Sequence, residues 1–244
     1  MEQFCGYPAE EFSFRGRQAI LVRPRVPDPQ RRWMLKTEYF GAFPQTEEAL
    51  LARGFHLAYL QNRNRWGLDE DIRDKADFVR YVSETFSVAP RCVPVGMSCG
   101  GLMAVDLAAL APERVSVLYL DAPVLNLLSC AGGFGRAEIT PDMQREMLDA
   151  LGMTLTDLIN FRRHPMDRLE PLVRNRIPAL LVYGDSDRTV PYEENGIHLE
   201  RAYREAGVPL LVQCKPGCDH HPHGPGDSNA ALAFLLEHSA EAQA

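Results

Sequence analysis

The sequence predicts an α/β fold in which a mainly parallel sheet is flanked by helices on both faces. Short apolar segments alternate along the chain with longer segments in which apolar residues recur at helical spacing. This alternation is typical of parallel sheets covered by helices. The chain has 244 residues, of which 45% are hydrophobic and 24% charged, so one large domain can bury a substantial core without staples. We therefore expect a single domain over residues 1–244.

The first half of the chain supplies the edge of this sheet and its first helices. Two strands joined by a tight turn at Arg15-Gly16 are predicted between Phe12 and Pro24. The next predicted elements are a short strand at 33–35, a helix at 38–53 that Gly54 ends, and a strand at 55–60. A helix is predicted at 69–86, where apolar residues recur at helical spacing.

The second half continues the alternation with one interruption. Strands are predicted at 91–95, 115–120, 179–183 and 210–213, with helices at 101–110 and 229–238. Residues 125–172 differ, because a glycine cluster at 132–135 precedes helical stretches near 141–150 and 154–163 and no strand interrupts them. We expect this segment to form a small helical cap over the sheet edge.

The motif Gly96-Met97-Ser98-Cys99-Gly100 lies between a predicted strand and a predicted helix. A Gly-x-Ser-x-Gly at such a junction is typical of a nucleophile elbow, a strained turn that exposes the serine at the sheet edge. The amide of Cys99, at the helix start, can then face a developing oxyanion. Cys99 is also expected to be a small buried neighbour of Ser98, and a lowered pKa of its thiol at the helix N-terminus is the alternative.

Two further loops leave the same edge of the predicted sheet. Asp187 follows the strand at 179–183, and His220 follows the strand at 210–213, which gives the chain order Ser, Asp, His. A serine nucleophile needs a base, and the imidazole needs a carboxylate to hold its tautomer. We expect Ser98, His220 and Asp187 to act together. Asp121, which also ends a strand, is the alternative acid, while Asp185 is expected to cap a turn.

The loop after the last strand contains three histidines, His220, His221 and His223, which suggest a metal site because histidine is the commonest zinc ligand. Neighbouring residues in an extended segment point in opposite directions, however, and no other set of His, Cys, Asp or Glu has ligand spacing. We therefore expect no metal and no cofactor. The six cysteines form no Cys-x-x-Cys pair and are expected to be reduced thiols.

The chain resembles the α/β-hydrolases from about Phe12 to His238. Within them it is similar to a bacterial subgroup with a Gly-x-x-His-His-Pro-His loop, on the evidence of four segments: residues 37–41, 96–98, 121–124 and 217–223. Members of that subgroup often occur near carbohydrate-degrading enzymes, so the resemblance implies sugar esters as substrates. This chain departs from the pattern at Cys99, where a larger residue is expected, and at Asp219, where a glycine usually precedes the histidine.

Further site residues follow from the positions of the loops. The second oxyanion donor is expected after the 33–35 strand, at Lys36 or Thr37. The polar loop after the 55–60 strand carries Gln61, Asn62 and Trp66 on the predicted active-site edge. Trp66 could stack on a sugar ring, although a loop tryptophan is more often packed, and the amides could bind hydroxyl groups. His221 is assigned to the loop or the pocket.

Composition excludes several classes of partner. The net charge of −7 argues against binding to a phosphate backbone, which needs a basic face. The sequence has no run of 18 or more apolar residues, which predicts no membrane span, and its start lacks the basic and apolar regions of a secretory signal. A cytoplasmic location is therefore expected. The sequence makes no prediction about oligomeric state.

These observations predict a cofactor-free serine hydrolase that cleaves a short-chain, acetyl-type ester of a sugar or oligosaccharide through an acyl-enzyme. A serine peptidase on the same fold is the alternative, in which Glu193 and Glu194 could hold a peptide terminus. On a helix start, however, these carboxylates are more simply favourable to the macrodipole. A non-catalytic binding protein on this fold would lack one of the three residues serine, histidine and aspartate, and the sequence has all three.

Overall fold

A computed structural model describes residues 3–240, and within them the chain forms one nine-stranded sheet in the order β1-β2-β3-β5-β4-β6-β7-β8-β9. The strands are β1 Gln3–Phe4, β2 Tyr7–Phe14, β3 Arg17–Val22, β4 Trp33–Lys36, β5 His56–Leu60, β6 Val93–Met97, β7 Leu118–Asp121, β8 Ala179–Gly184 and β9 Leu210–Lys215. The pairs from β5 to β9 are parallel, and β1, β2 and β3 pair antiparallel at one edge. The carboxyl ends of six adjacent strands therefore meet at one edge of the sheet.

Helices cover both faces of the sheet. They are α1 Gln45–Leu51, α2 Asp69–Phe86, α3 Cys99–Leu110, α4 Pro141–Leu151, α5 Leu155–Asn160, α6 Glu170–Arg174, α7 Gly196–Ala206 and α8 Ser228–His238. On one face, Phe78 of α2 and Leu107 of α3 belong to the same apolar core as Leu120 of β7. On the other, Leu50 of α1 and Leu235 of α8 pack in the core that contains Val95. Since strand residues alternate between faces, nearly continuous apolar strands are what two covered faces require.

The predicted fold class is confirmed, and most strands and helices lie within a few residues of their predicted positions. The helix predicted at 38–53 is the exception, because only Gln45–Leu51 is helical. Tyr39, Gly41 and Phe43 have φ of 56°, 86° and 47°, in the left-handed region that an α-helix excludes. Residues 37–44 are therefore a loop at the carboxyl end of β4, beside the nucleophile.

The segment between β7 and β8 contains the two predicted helices as α4 and α5. Met147 of α4 and Leu158 of α5 are buried in a third apolar cluster with Trp66, Cys99 and other residues near the start of α3. The segment thus packs over the carboxyl edge of the sheet, where the loops with Ser98, Asp187 and His220 meet. Within residues 3–240, no helix is both long and apolar enough to cross a lipid bilayer.

Candidate active site

Ser98 lies on a sharp turn between β6 and α3, with φ of 51° and ψ of −121°. This conformation is strained for a residue with a side chain, and such strain persists only where the surroundings impose it. The amide of Ser98 donates to the Asp121 carbonyl at 3.0 Å, and the Ser98 carbonyl accepts from Gly101 and Val124. The hydroxyl is thereby presented at the sheet edge, while the backbone around it is fixed.

The turn requires glycine on both sides of the serine. A Cβ added at Gly96 would lie 2.5 Å from the Gly100 carbonyl oxygen, and one at Gly101 would lie 2.4 Å from the Cβ of Pro123. Both distances are too short for any side chain. The spacing of glycines in the sequence motif therefore reflects the close approach of β6 and the segment after β7 to the start of α3.

His220 and Asp187 complete a hydrogen-bonded chain with Ser98. The Nε2 atom of His220 is 3.1 Å from Ser98 Oγ, and its Nδ1 atom is 2.8 Å from Asp187 Oδ2. The other carboxylate oxygen of Asp187 accepts from the amides of Thr189 and Val190 at 2.9 and 2.8 Å. With a proton on Nδ1, the imidazole is left with an Nε2 lone pair that can accept the serine proton.

Asp219 joins the loop of the acid to the loop of the base. Its Oδ1 accepts from the amides of Arg188 and His220 at 3.0 and 2.8 Å, and its Oδ2 accepts from the Arg188 guanidinium. Hydrogen bonds from the Arg188 amide, the His220 amide and the Arg188 side chain lower the pKa of Asp219 to about 2. The carboxylate therefore stays charged, and the departure from glycine at this position adds a connection between the two loops.

A second carboxylate–imidazole pair lies beside the first. Asp121 Oδ1 is 3.0 Å from His223 Nδ1, and Asp121 Oδ2 accepts from the Gly224 amide at 2.5 Å. Both side chains are buried, with relative exposures of 1% and 4%. Asp121, the alternative acid, thus contacts His223, whereas Asp187 contacts His220.

The three imidazoles of the last loop form one cluster. The ring centroids of His220, His221 and His223 lie 4.9 to 5.0 Å apart in all three pairs. The exposed His221 ring also stacks on Phe43, with centroids 5.5 Å apart and planes within 13°. His220 and His221 therefore do not point in opposite directions, as the sequence analysis expects, because this loop is not an extended strand.

Ser98 and His220 open into a cavity of about 330 Å³. Its wall is mainly aromatic and aliphatic, with a few polar groups, and comprises Tyr39, Ala42, Phe43, Arg65, Met97, Met143, Thr189, His221 and His223. Met143 comes from α4, so the segment between β7 and β8 contributes to the cavity. Another cavity of about 400 Å³ lies between α2, α3 and α6 and is lined by paired arginines and aspartates, but Ser98 is not part of it.

Of the three predicted oxyanion donors, Cys99 is suitably placed, and Thr37 and Lys36 are not. Cys99 is the first residue of α3, so its amide is one of the donors that a helix leaves without an internal partner. The Thr37 amide instead donates to Val95, and its hydroxyl donates to the Gly100 carbonyl at 2.7 Å. The Lys36 ammonium is buried against Glu47 at 2.5 Å. Both residues therefore hold β4 against its neighbours.

Tyr39 is a candidate oxyanion donor that the sequence analysis missed. Its side chain lines the Ser98 cavity, next to the Cys99 thiol and Arg65. Burial, and then the neighbouring Cys99, raise the pKa of Tyr39, so the phenol keeps its proton. Cys99 is buried, as expected of a small neighbour of Ser98, and burial raises the pKa of its thiol, which contradicts the alternative of a lowered pKa.

The sequence profile of the prolyl oligopeptidase family matches residues 55–242, which are 188 of the 244 residues. The chain belongs to the prolyl oligopeptidase family. Its members are serine peptidases of the α/β-hydrolase type, so the serine hydrolase prediction is confirmed at that level. Membership does not support the carbohydrate-associated subgroup.

Named relatives of this family resemble the chain over part of their length. The acylamino-acid-releasing enzyme of Rattus norvegicus is 28% identical over 156 residues, 62% of this chain and 20% of that protein. The acylamino-acid-releasing enzyme 2 of Oryza sativa subsp. japonica is 23% identical over 209 residues, 74% of this chain and 25% of that protein. The chain thus spans a fifth to a quarter of the length of these curated relatives.

Solved structures show the same fold. A puromycin-hydrolyzing peptidase of Mycobacterium tuberculosis superimposes with a TM-score of 0.72 at 15% identity, over 95% of this chain and 39% of that chain. An acylaminoacyl peptidase of Pyrococcus horikoshii superimposes with a TM-score of 0.69 at 15% identity, over 88% of this chain and 37% of that chain. The α/β-hydrolase fold expected from the resemblance is confirmed.

The expected activity, cleavage of an acetyl-type sugar ester, is wrong. The family and the names of its curated members point to peptide bonds, which was the alternative reading. The structure also removes the residues offered for sugar binding. Trp66 is 1% exposed and donates its indole N–H to Glu146 under α4, so its ring is not available for stacking. The Asn62 amide donates to the Thr37 carbonyl, and Gln61 lies outside the cavity.

Glu193 and Glu194, the candidates for holding a peptide terminus, do not line the cavity either. Glu194 accepts from the Ser129 hydroxyl at 2.5 Å and from the Arg136 amide at 2.8 Å, so it holds the glycine-rich loop before α4. Glu193 is exposed on the turn before α7. Neither carboxylate is placed to meet a peptide terminus beside Ser98.

Proposed function

We propose that this protein is a serine peptidase that cleaves short peptides through an acyl-enzyme formed on Ser98. Two observations support the proposal. The chain belongs to a family of serine peptidases, and Ser98, His220 and Asp187 form a continuous hydrogen-bonded chain at the mouth of a cavity. The hydrogen-bonded chain is the observation that carries the proposal, because it supplies a nucleophile, a base and an orienting carboxylate in contact.

The reaction proceeds in two steps in this proposal. Ser98 Oγ attacks the scissile carbonyl, and His220 Nε2 takes the serine proton and returns it to the leaving amine as the C–N bond breaks. A water molecule then attacks the ester formed on Ser98, with His220 again taking a proton and returning it to Ser98. Asp187 stabilises the imidazolium that forms in both steps and keeps Nε2 directed at Ser98.

Two donors stabilise the oxyanion in this proposal, the amide of Cys99 and the hydroxyl of Tyr39. Arg65 and the Cys99 thiol flank the phenol, and rotation of its hydroxyl hydrogen away from the thiol directs it at the oxyanion in the cavity. The Arg65 guanidinium is itself fixed by Glu146 of α4 through two hydrogen bonds of 2.9 and 2.5 Å. The position of the tyrosine therefore depends on the segment between β7 and β8.

The cavity wall indicates which end of a peptide it accepts. Among the described residues that line it, the aliphatic and aromatic side chains favour an apolar residue, and none is an acid. A free α-ammonium group would meet Arg65 and three imidazoles without a carboxylate partner. We therefore propose N-acylated or internal peptide segments as substrates, in preference to peptides with a free amino terminus next to the scissile bond.

A panel of p-nitroanilides tests this proposal. We expect N-acetylated anilides of alanine, leucine and phenylalanine to be cleaved with a higher kcat/KM than the same anilides with a free amino group. Faster cleavage of the free-amino series would contradict the substrate class. An absence of anilide cleavage throughout the panel would contradict the peptidase itself and would favour a binding protein on this fold.

The role of Tyr39 gives a separate prediction. We expect Tyr39→Phe to lower kcat by about 10²–10³-fold with little change in KM, since it removes one oxyanion donor and leaves the ring in the cavity wall. The matched control is Tyr59→Phe, which removes a phenolic hydroxyl outside the cavity and should leave kcat unchanged. Steady-state kinetics on one N-acetylated anilide measures both. Equal kcat in the two variants would exclude Tyr39 as a donor.

A further inference from the structure

We propose that His220, His221 and His223 bind a single divalent transition-metal ion, preferentially Zn²⁺, and that this ion inhibits the enzyme reversibly. The metal site follows from the geometry of the loop alone. Its inhibitory effect rests on the proposed function, because it requires His220 to be the base. The site is thus a regulatory one, and it overlaps the hydrogen-bonded chain described above.

The three imidazoles lie close enough to converge on one ion. One ring nitrogen from each residue can be chosen so that all three atoms lie within 4.8 Å of one another. Zinc–nitrogen bonds of about 2.0–2.1 Å place the nitrogens of a tetrahedral site roughly 3.4 Å apart. Binding therefore needs the rings to close by about 1.5 Å at most. The exposed ring of His221 lies at the cavity surface and can supply much of that movement.

Two of the three ligands are already oriented as zinc-bound histidines are. A metal-bound histidine usually donates its other ring N–H to a carboxylate, which fixes the tautomer and makes the free nitrogen more basic. His220 has Asp187 at Nδ1 (2.8 Å) and His223 has Asp121 at Nδ1 (3.0 Å). Both rings therefore direct Nε2 away from their carboxylate, and a metal ion at His220 would take the place that the Ser98 hydroxyl now holds.

The donor set selects the type of ion. Three neutral imidazoles suit Zn²⁺, Cu²⁺ and Ni²⁺, whereas Mg²⁺ and Ca²⁺ prefer oxygen ligands. Three protein ligands leave a fourth tetrahedral position, which can take a water molecule. The site therefore discriminates between transition metals and the abundant alkaline-earth ions by its chemistry.

Metal binding and catalysis use the same lone pair. His220 Nε2 is the atom that accepts the Ser98 proton, at 3.1 Å from Oγ. Once that lone pair is bonded to a metal ion, it cannot take the proton, and the ion also occupies the mouth of the cavity. Zinc and substrate should therefore exclude each other, and removal of zinc by a chelator should restore activity in full.

Titration calorimetry on the full chain with ZnCl₂ as the probe tests the site without reference to activity. We expect one equivalent of Zn²⁺ to bind to the wild-type protein, His221→Ala and His223→Ala to abolish that binding, and Asp121→Asn to weaken it about 10–100-fold by removing a carboxylate partner. His238→Ala and Cys218→Ser are the matched controls, since they remove a histidine and a thiol outside the cluster. The visible spectrum of bound Co²⁺ reports the tetrahedral geometry.

The outcomes separate the site from the activity. Loss of the one-equivalent binding in Cys218→Ser or His238→Ala, or its persistence in His223→Ala, would overturn the site. Stoichiometric binding without inhibition of anilide cleavage would overturn the inhibitory role. One-equivalent binding to the cluster in a protein that cleaves no anilide would support the metal site and contradict the proposed peptidase instead.

Discussion

Replacement of Ser98 by alanine is expected to lower the turnover of an N-acetylated anilide by about 10⁴–10⁶-fold, because it removes the nucleophile from a unit whose members act together. The substitution removes one oxygen from a partly exposed turn and leaves the backbone contacts of the elbow in place. The thermal unfolding temperature should therefore be close to that of the wild type. A fluorophosphonate probe should label the wild-type protein once and the variant not at all.

Ser13→Ala is the control for this experiment, since Ser13 is an exposed serine of β2 outside the cavity. It should retain full turnover and full labelling. Retention of more than about a tenth of the activity in Ser98→Ala would assign the nucleophile elsewhere, because no remaining group supplies covalent catalysis. Labelling of Ser98→Ala at a second serine would lead to the same conclusion.

Asp187→Asn is expected to cost about 10⁴-fold in kcat. An asparagine amide donates to His220 Nδ1 and so favours the tautomer with its proton on Nε2, which cannot accept from Ser98. The two backbone amides that now donate to Asp187 can still donate to the asparagine carbonyl, so the loop should keep its structure. Circular dichroism and the unfolding temperature check that point alongside the kinetics.

Asp121→Asn is the matched control, because it makes the same chemical change in a carboxylate that contacts a neighbouring imidazole. Asp121 holds His223, which is not bonded to Ser98 in the described structure. Its loss of kcat should therefore be far smaller than that of Asp187→Asn. A larger loss of kcat in Asp121→Asn than in Asp187→Asn would identify Asp121 as the acid.

Much of the fold and the main site could be predicted because local chemistry determines them. A Cβ at Gly96 or Gly101 would lie 2.5 or 2.4 Å from a neighbouring atom, so glycine recurs where β6 turns into α3 and the motif is visible in the sequence. Asp187 and His220 were placed from strand order, since parallel strands bring their carboxyl ends to one edge. The apolar spacing over 69–86 predicted α2 with its observed bounds.

Other features depend on contacts that sequence spacing does not encode. Tyr39 and Phe43 lie in a segment with apolar residues at helical spacing, and only the left-handed backbone there turns both rings toward Ser98. Trp66 lies in a polar loop of the sequence, yet its side chain is buried, because α4 packs over it and Glu146 accepts from its indole N–H. The contact among His220, His221 and His223 depends on the backbone conformation of their loop, which their closeness in sequence does not predict.

The hydrogen bonds of Asp219 divide the hydrolytic machinery into two mechanical parts. By accepting from the amides of Arg188 and His220, this carboxylate links the backbones next to the acid and the base. Ser98 lies outside this link, on the turn between β6 and α3. Thermal fluctuation should consequently act on the 3.1 Å separation of Oγ and Nε2 rather than on the 2.8 Å separation of Nδ1 and Oδ2. The contact across which the proton is transferred, between Ser98 and His220, should then vary more in length than the contact between His220 and Asp187.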